Sequence, residues 1–271
     1  MEFVDTHCHI QSAGNSAGER TTSELWAKAP DLTADIIVKS ALAAGVTKLV
    51  CVGCDLTDSK LAVSFASRQP GVWASIGIHP HEAKDYAANQ ELCQEFATLV
   101  NNPKVVAIGE CGLDFFYNHS KKADQIKMLR FQIELALAHD LPIIFHVREA
   151  FDDFWPIFEQ YQGIHGVLHS FSDSRANMER AVQHGLYIGV NGIATFAKQS
   201  EQLAMYAAVP LKNLLLETDA PFLTPTPYRG SINEPKQIVT VASFLAELRS
   251  ENLANIAVST TTNAKKLFGL K

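Results

Sequence analysis

Short apolar runs alternate with longer segments of helical period along the 271-residue chain, and this alternation constrains the fold more than any other feature. Eight runs are predicted to be strands, at residues 2–6, 47–53, 72–78, 104–109, 142–146, 166–169, 186–190 and 213–217. Runs such as KVVAIGE and LPIIFHV are continuously apolar, which is typical of parallel strands buried on both faces. The sequence therefore predicts a parallel α/β fold.

The segments between these runs include predicted helices at residues 31–44, 121–139, 234–249 and 252–268. Residues 11–30 are polar and rich in Ser, Gly and Ala, so we expect a long loop there. Eight strand-helix units favour a closed (β/α)8 TIM barrel over an open doubly wound sheet, which usually carries a Gly-rich loop after its first strand. The length suits one barrel domain over residues 1–271.

Composition excludes several classes of protein. With 47% hydrophobic and 19% charged residues, the chain is neither disordered nor of low complexity. Its net charge of −6 excludes a globally basic nucleic-acid-binding surface, so an anionic partner requires a local patch or a metal.

Cysteines and apolar stretches indicate the compartment of the protein. The five cysteines are odd in number and widely spread, which predicts reduced thiols. Acidic residues stand near the start of the chain, and no apolar stretch approaches the ~20 residues that cross a bilayer. We therefore expect a cytoplasmic protein without a membrane anchor.

His7 and His9 stand one residue apart at the end of the first predicted strand. The two-residue period of a strand points both imidazoles to the same side, and in a barrel this end of the strand lies at the active-site mouth. Taken alone, the pair is more typical of two partly exposed histidines than of a metal site.

Four more polar residues follow other apolar runs: Glu110, His146, His169 and Asp219. Burying such groups at the ends of core strands is costly unless hydrogen bonds or a cation compensate. Together with His7 and His9 they match the ligand types of Zn²⁺, Mn²⁺ or mixed sites, and Mg²⁺ through carboxylate and water. The sequence therefore predicts a divalent metal site at the mouth.

The motifs DTHCH, GIHPH, IGECGLD, FHVREAFDD, LHSFSDS and LETDAPFLTP, followed by RGSINEP, resemble those of the TatD-type metal-dependent deoxyribonucleases, within the amidohydrolase-like barrels. The resemblance runs from Asp5 to Pro235. It implies two divalent metal ions with Glu110 bridging them. The implied ligands are His7, His9, Glu110 and Asp219 for one ion, and Glu110, His146 and His169 for the other.

The resemblance also implies catalytic roles. A bridging carboxylate such as Glu110 suits two cations about 3.5–4 Å apart, as in two-metal phosphoester cleavage. Asp219 is expected to orient the attacking water and to accept its proton. The glutamate in the bridging position argues against a dihydroorotase or a phosphotriesterase, because related barrels often present a carbamylated lysine there.

His79, in GIHPH, and Arg229, before the segment GSINEP, are the predicted substrate-binding residues. By the resemblance, His79 faces the pocket near the substrate phosphate, while His81 is expected to form loop hydrogen bonds. Arg229 is expected to grip a phosphate or to order the mouth, with a surface salt bridge as the alternative. Arg148 is expected either to stabilise charge or to pair with an acid.

Two features depart from the family pattern. Asp173 stands where the family usually has Gly, and helix N-capping explains it better than substrate contact. The predicted loop at 11–30 is longer than usual, which affects the expected substrate preference and not metal binding.

The predicted function is that of a metal-dependent phosphodiester hydrolase, a deoxyribonuclease acting as an exonuclease on single-stranded DNA or DNA ends. The acidic net charge favours strand termini over long duplex tracts. One alternative is an amidohydrolase or ester hydrolase of a small or aminoacyl-nucleotide substrate. Another is a non-catalytic metal-binding barrel.

Overall fold

The computed structural model describes residues 1–14 and 18–271, which form one eight-stranded parallel sheet. Neighbouring strands pair in the order of the chain. The strands are β1 (Phe3–Cys8), β2 (Val46–Val52), β3 (Val72–Ile76), β4 (Val105–Asp114), β5 (Ile143–Arg148), β6 (Gly166–Leu168), β7 (Tyr187–Val190) and β8 (Leu214–Leu216).

The sheet closes between β1 and the segment that follows β8. The amide of Asp219 donates to the His7 carbonyl at 2.8 Å, and the amide of His9 donates to the Ala220 carbonyl at 2.7 Å. The carboxylate of Asp5 also accepts a hydrogen bond from the Thr218 amide at 3.0 Å. The predicted (β/α)8 barrel is therefore confirmed.

Helices alternate with the strands and cover the outside of the barrel. They are α1 (Arg20–Trp26), α2 (Ala34–Ala43), α3 (Leu56–Arg68), α4 (Ala83–Tyr86), α5 (Gln90–Thr98), α6 (Lys122–His139), α7 (Phe151–Phe158), α8 (Arg175–Gln183), α9 (Ser200–Ala208), α10 (Ile238–Arg249) and α11 (Leu253–Phe268). The four helices predicted above are present, with ends displaced by up to four residues. No helix in the described ranges is long and apolar enough to span a membrane.

Residues 11–30 do not form the single long loop that the sequence predicts. A 3₁₀ helix covers Ile10–Ser12 and α1 lies within the segment, while residues 15–17 are outside the described ranges. The Glu19 carboxylate caps α1 by accepting from the Thr21 and Thr22 amides at 2.8 and 2.7 Å. Trp26 is only 2% exposed, and its indole donates to the His9 carbonyl at 3.0 Å. This cap and this buried anchor stabilise a helix that composition does not reveal.

A compact apolar cluster fills the inside of the barrel at the end where α11 packs. It contains side chains of several strands, including Val4, Val50 and Ile144, together with Leu267 and Phe268 of α11. The residues of α11 thus cover this end of the barrel.

Two strands extend further than predicted. β4 runs through Glu110 to Asp114, so Glu110 lies within a strand rather than after one, and β5 continues two residues past His146 to Arg148. The pairing of β4 with β5 continues from Gly112 opposite His146 to Asp114 opposite Arg148. Gly112 permits this close approach, since a Cβ there would collide with the His146 carbonyl oxygen.

Candidate metal centre

Four of the predicted ligands converge at the mouth of the barrel, from β1, from β4 and from the segments directly after β1 and β8. The Nε2 atoms of His7 and His9 lie 3.1 Å apart. His7 Nε2 lies 3.3 Å from Glu110 Oε2 and 3.6 Å from Asp219 Oδ1. His9 Nε2 lies 3.3 Å from Asp219 Oδ1. Two imidazoles and two carboxylates therefore face one small volume.

The other oxygen of Glu110 faces a second group of histidines. Glu110 Oε1 lies 2.6 Å from His146 Nδ1 and 3.5 Å from His169 Nε2. His79 Nε2 lies 3.6 Å from the same oxygen. The Glu110 carboxylate thus stands between two sets of imidazoles, with one oxygen toward each.

The electrostatics of this carboxylate follow from its neighbours. Glu110 is 4% exposed, and burial alone would raise its pKa. The imidazoles around it outweigh that effect and hold the pKa well below its usual range. Glu110 is therefore an anion in an enclosed site, as a cation-bridging group must be.

Hydrogen bonding and burial fix the rings of His9 and His7. His9 Nδ1 lies 2.8 Å from the Val52 carbonyl oxygen and donates to it, so Nε2 is directed at the other ligands. Burial disfavours the charged form of His9, but contacts with Cys54 and Asp219 outweigh burial and raise its pKa well above the usual value, so a metal ion at Nε2 would displace a proton. Burial lowers the pKa of His7 and favours its neutral ring, and the Nδ1 of this ring is buried without a hydrogen-bond partner among the described residues. The His7 and His169 rings stack at a centroid distance of 3.6 Å.

The pKa values of the two histidines on the far side of Glu110 are raised as well. Burial lowers the pKa of His146, but hydrogen bonds to Asp114 and Glu110 outweigh it and raise the value to about 9. Burial likewise disfavours the charged form of His169, and the Glu217 and Glu110 carboxylates raise its pKa to about 9. A metal ion binding to these rings would release their protons. The donor set of nitrogens and carboxylate oxygens fits Zn²⁺ or Mn²⁺.

Two buried carboxylates that the sequence analysis missed support this arrangement. Asp114 Oδ2 lies 3.2 Å from His146 Nε2 and 3.0 Å from His81 Nε2. Glu217 Oε1 lies 3.0 Å from His169 Nδ1. Asp114 lies within the apolar strand β4, and Glu217 directly follows the apolar run of β8. A carboxylate at such a buried position is the sequence signal that could have identified them. They orient the imidazoles from the side opposite Glu110.

The predicted substrate-binding residues lie in different environments. His79 borders Glu110, and its side chain is 13% exposed. The Arg229 guanidinium lies 3.9 Å from the centre of the Phe196 ring and donates to the Thr224 carbonyl at 3.2 Å. These contacts order the loop after β8. Asn233 contributes to the same loop by donating to the Thr218 carbonyl at 2.9 Å.

Asp173 does not cap helix α8 as predicted. The N-cap is Ser174, whose hydroxyl accepts from the Asn177 amide at 3.2 Å. Asp173 instead accepts from the Asn177 side chain at 2.7 Å, so it supports the turn one residue earlier than expected.

A further group of ligand-type residues lies behind His9. Cys54 Sγ is 3.9 Å from His9 Nδ1, and the Asp58 carboxylate accepts from the Cys54 amide at 3.1 Å. Burial raises the pKa of the Cys54 thiol, which keeps it protonated and a poor ligand. Since His9 Nδ1 already donates to Val52, these groups hold His9 in place rather than form a separate site.

Comparison with known proteins matches nearly the whole chain to one family. The model of the TatD related DNase family matches residues 4–269. The 3'-5' ssDNA/RNA exonuclease TatD of Escherichia coli (strain K12) is 35% identical over 260 residues, covering 93% of this chain and 98% of the relative. An uncharacterized metal-dependent hydrolase of Bacillus subtilis (strain 168) is 35% identical over 268 residues, covering 98% of each chain.

Solved structures match over nearly the whole chain. A TatD homologue from Escherichia coli superposes with a TM-score of 0.85 at 30% identity, covering 99% of this chain and 98% of the other. A TatD family hydrolase from Entamoeba histolytica has the same fold, with a TM-score of 0.85 at 22% identity, covering 99% and 98% of the two chains. The chain therefore belongs to the TatD related DNase family.

Proposed function

We propose that this protein is a metal-dependent exonuclease that hydrolyses phosphodiester bonds at the ends of single-stranded nucleic acid. The observation that carries the proposal is the position of Glu110, whose two carboxylate oxygens face two separate histidine groups. Such a carboxylate suits a pair of divalent cations, which is the arrangement used in two-metal phosphoester cleavage.

The ligands in this proposal divide into two sets that share Glu110. One cation would be held by His7, His9, Glu110 and Asp219, and the other by Glu110, His146 and His169. Zn²⁺ and Mn²⁺ suit these donors better than Mg²⁺, which prefers an all-oxygen shell. When bound, the cations polarise the scissile phosphate and lower the pKa of water toward ~7.

The protein's own groups then supply positioning and proton transfer. Asp219 Oδ1 lies between His7 and His9, which help to keep its pKa below the usual value despite burial. An ionised carboxylate at this position orients the attacking water and accepts its proton. His79, beside Glu110, is placed to donate to a phosphate oxygen, because burial lowers its pKa to about 4 and leaves a neutral ring with one N–H.

Single-stranded ends are the substrate class best supported. Relatives at 35% identity are named 3'-5' ssDNA/RNA exonucleases, so both DNA and RNA are candidate substrates here. The net charge of −6 disfavours long contacts with duplex. Binding at a strand end requires few phosphate contacts and suits a site recessed among the loops at the barrel mouth.

The alternatives are less well supported. An amidohydrolase or ester hydrolase of the same barrel class could use similar metals, but the family match and the glutamate at the bridging position favour phosphodiester cleavage. A non-catalytic metal-binding barrel gives no reason for all six ligand positions to be filled.

We also propose that the protein works in the cytoplasm. Its five cysteines are free thiols, and four of them are buried. Unpaired thiols of this kind are typical of proteins from reducing compartments.

The proposed function is tested with end-labelled single-stranded DNA and RNA, incubated with Mg²⁺, Mn²⁺, Zn²⁺ or a chelator. We expect stepwise release of nucleotides with at least one cation and none with the chelator. Amide and carboxylic ester substrates serve as matched controls for the amidohydrolase alternative. Cleavage that persists in chelator, or cleavage of the control substrates alone, would contradict the proposal.

A further inference from the structure

An exposed aromatic cluster lies at the mouth of the barrel, on the loop between β4 and α6. Phe116 is 49% exposed and Tyr117 is 51% exposed. The guanidinium carbon of Arg148 lies 4.1 Å from the centre of the Phe116 ring and 4.8 Å from that of Tyr117. We call these three residues the aromatic platform.

The platform is fixed to the metal centre through one carboxylate. Asp114 Oδ1 accepts hydrogen bonds from the amides of Phe116 and Tyr117, each at 3.0 Å. The other oxygen, Asp114 Oδ2, lies 3.2 Å from His146 Nε2. Since His146 contacts Glu110, the loop that carries the two rings is tied to the reacting end of the site.

The distance between the platform and the metal centre matches a few nucleotides of single-stranded nucleic acid. The Tyr117 ring is 5.6 Å from the His81 ring, and the His81 ring is 6.5 Å from the His146 ring, both measured between centroids. Stacked nucleotides rise by ~3.4 Å each, so these two steps correspond to a few nucleotides of a bound strand.

The charge of Arg148 has no local acidic partner. Among the residues that the structure describes, its guanidinium lies over the Phe116 and Tyr117 rings and forms no ion pair, although the chain carries a net charge of −6. The group lies over aromatic rings and remains exposed. A flat ring and an unpaired guanidinium at one site provide a stacking surface for a base and a charge for its phosphate.

We propose that the aromatic platform is a stacking subsite for a nucleobase of the single-stranded substrate, a few nucleotides from the scissile bond. This inference rests on the proposed nuclease function. The free face of Phe116 takes the base, Tyr117 braces Phe116 edge-on at a centroid distance of 4.7 Å, and Arg148 contacts a neighbouring phosphate. Stacking of this kind tolerates any base sequence, because every base has a π-face.

The test compares a short oligothymidylate with an abasic oligonucleotide of equal length and charge. Binding is measured by fluorescence anisotropy in an Asp219→Asn background, with metal present, so that hydrolysis does not consume the probe. We expect the parent protein to prefer the base-bearing strand by on the order of ten- to a hundredfold. The double variant Phe116→Leu and Tyr117→Leu is expected to lose most of this preference while retaining affinity for the abasic strand.

Two further variants sharpen the comparison. Leu42→Ala removes another exposed apolar side chain, 60% exposed on α2, and is expected to leave the preference unchanged. Phe116→Trp keeps an aromatic ring, so it should preserve the preference, and its added indole fluorescence should be quenched by the oligothymidylate but not by the abasic strand.

The inference fails if the double variant still prefers the base-bearing strand as strongly as the parent does. It also fails if the double substitution leaves the binding of both oligonucleotides unchanged and alters only the sedimentation coefficient. The platform would then be a contact between protein chains. Hydrolysis of bis(p-nitrophenyl) phosphate by the variants with native Asp219 is measured in parallel. If the variants cleave this small phosphodiester normally, a change in base preference reports on the platform alone. If the unsubstituted protein does not cleave it, the result counts against the proposed function.

Discussion

Glu217 Oε1 lies 3.0 Å from Nδ1 of His169, while Nε2 of the same ring lies 3.5 Å from Glu110. Glu217 is itself fixed, because the Ser170 amide donates to it at 2.6 Å and the Asn191 side chain donates at 3.3 Å. The imidazole is therefore held between two carboxylates, one that orients it and one that shares its proposed metal.

Replacing Glu217 is expected to weaken metal binding without removing a ligand. Glu217→Ala should lower the affinity for the second cation by about ten- to a hundredfold, since His169 loses the group that aligns its ring. Glu217→Gln keeps an acceptor at the same place and should lose less. Competition with a fluorescent chelator measures both affinities, and an unchanged affinity in Glu217→Ala would remove this role.

Asp219→Asn is expected to lower kcat by about a hundredfold or more, because the amide cannot accept the proton of the attacking water. The amide keeps the shape of the side chain but is a weaker metal ligand than the carboxylate, so metal content is restored with a saturating concentration of the cation. Steady-state kinetics and metal analysis on the same preparation measure the two quantities. Full activity at full metal content would show that Asp219 is not the general base.

Removing the metals should destabilise the protein, because the ligands are buried carboxylates and imidazoles that the cations hold together. A ligand present at about a hundred times its Kd contributes about 2.7 kcal/mol to the free energy of unfolding. For a chain of this length that corresponds to a fall in Tm of about 5–10 °C on chelation. Thermal unfolding followed by circular dichroism tests this, and an identical Tm with and without chelator would contradict it.

Linear single strands should be degraded much faster than closed circular ones. The proposed function requires a strand end at the metal centre, and a circle offers none. The measurement follows nucleotide release from a linear oligonucleotide and from the same sequence after ligation into a circle. Equal rates on the two forms would indicate endonuclease action and overturn the preference for ends.

Much of the fold follows from the sequence, for a physical reason. Parallel strands buried on both faces require continuous apolar runs, and a barrel brings the carboxyl ends of all its strands to one rim. For this reason residues as distant along the chain as His7 and Asp219 are found 3.6 Å apart, although no local rule relates them.

Other features depend on contacts that a single segment does not encode. Helix α1 was missed because its stability comes from the Glu19 cap and from Trp26 packing under His9, not from its composition. The extension of β4 and β5 depends on their pairing. Asp114 and Glu217 were overlooked because their importance lies in the imidazoles that fold against them from other strands.

The most direct test of the central claim is anomalous diffraction from crystals of the protein loaded with Mn²⁺ or Zn²⁺. The account predicts two peaks about 3.5–4 Å apart, one near each carboxylate oxygen of Glu110. One peak would lie among His7, His9 and Asp219, and the other between His146 and His169. A single ion, or ions bound away from Glu110, would contradict the two-metal account.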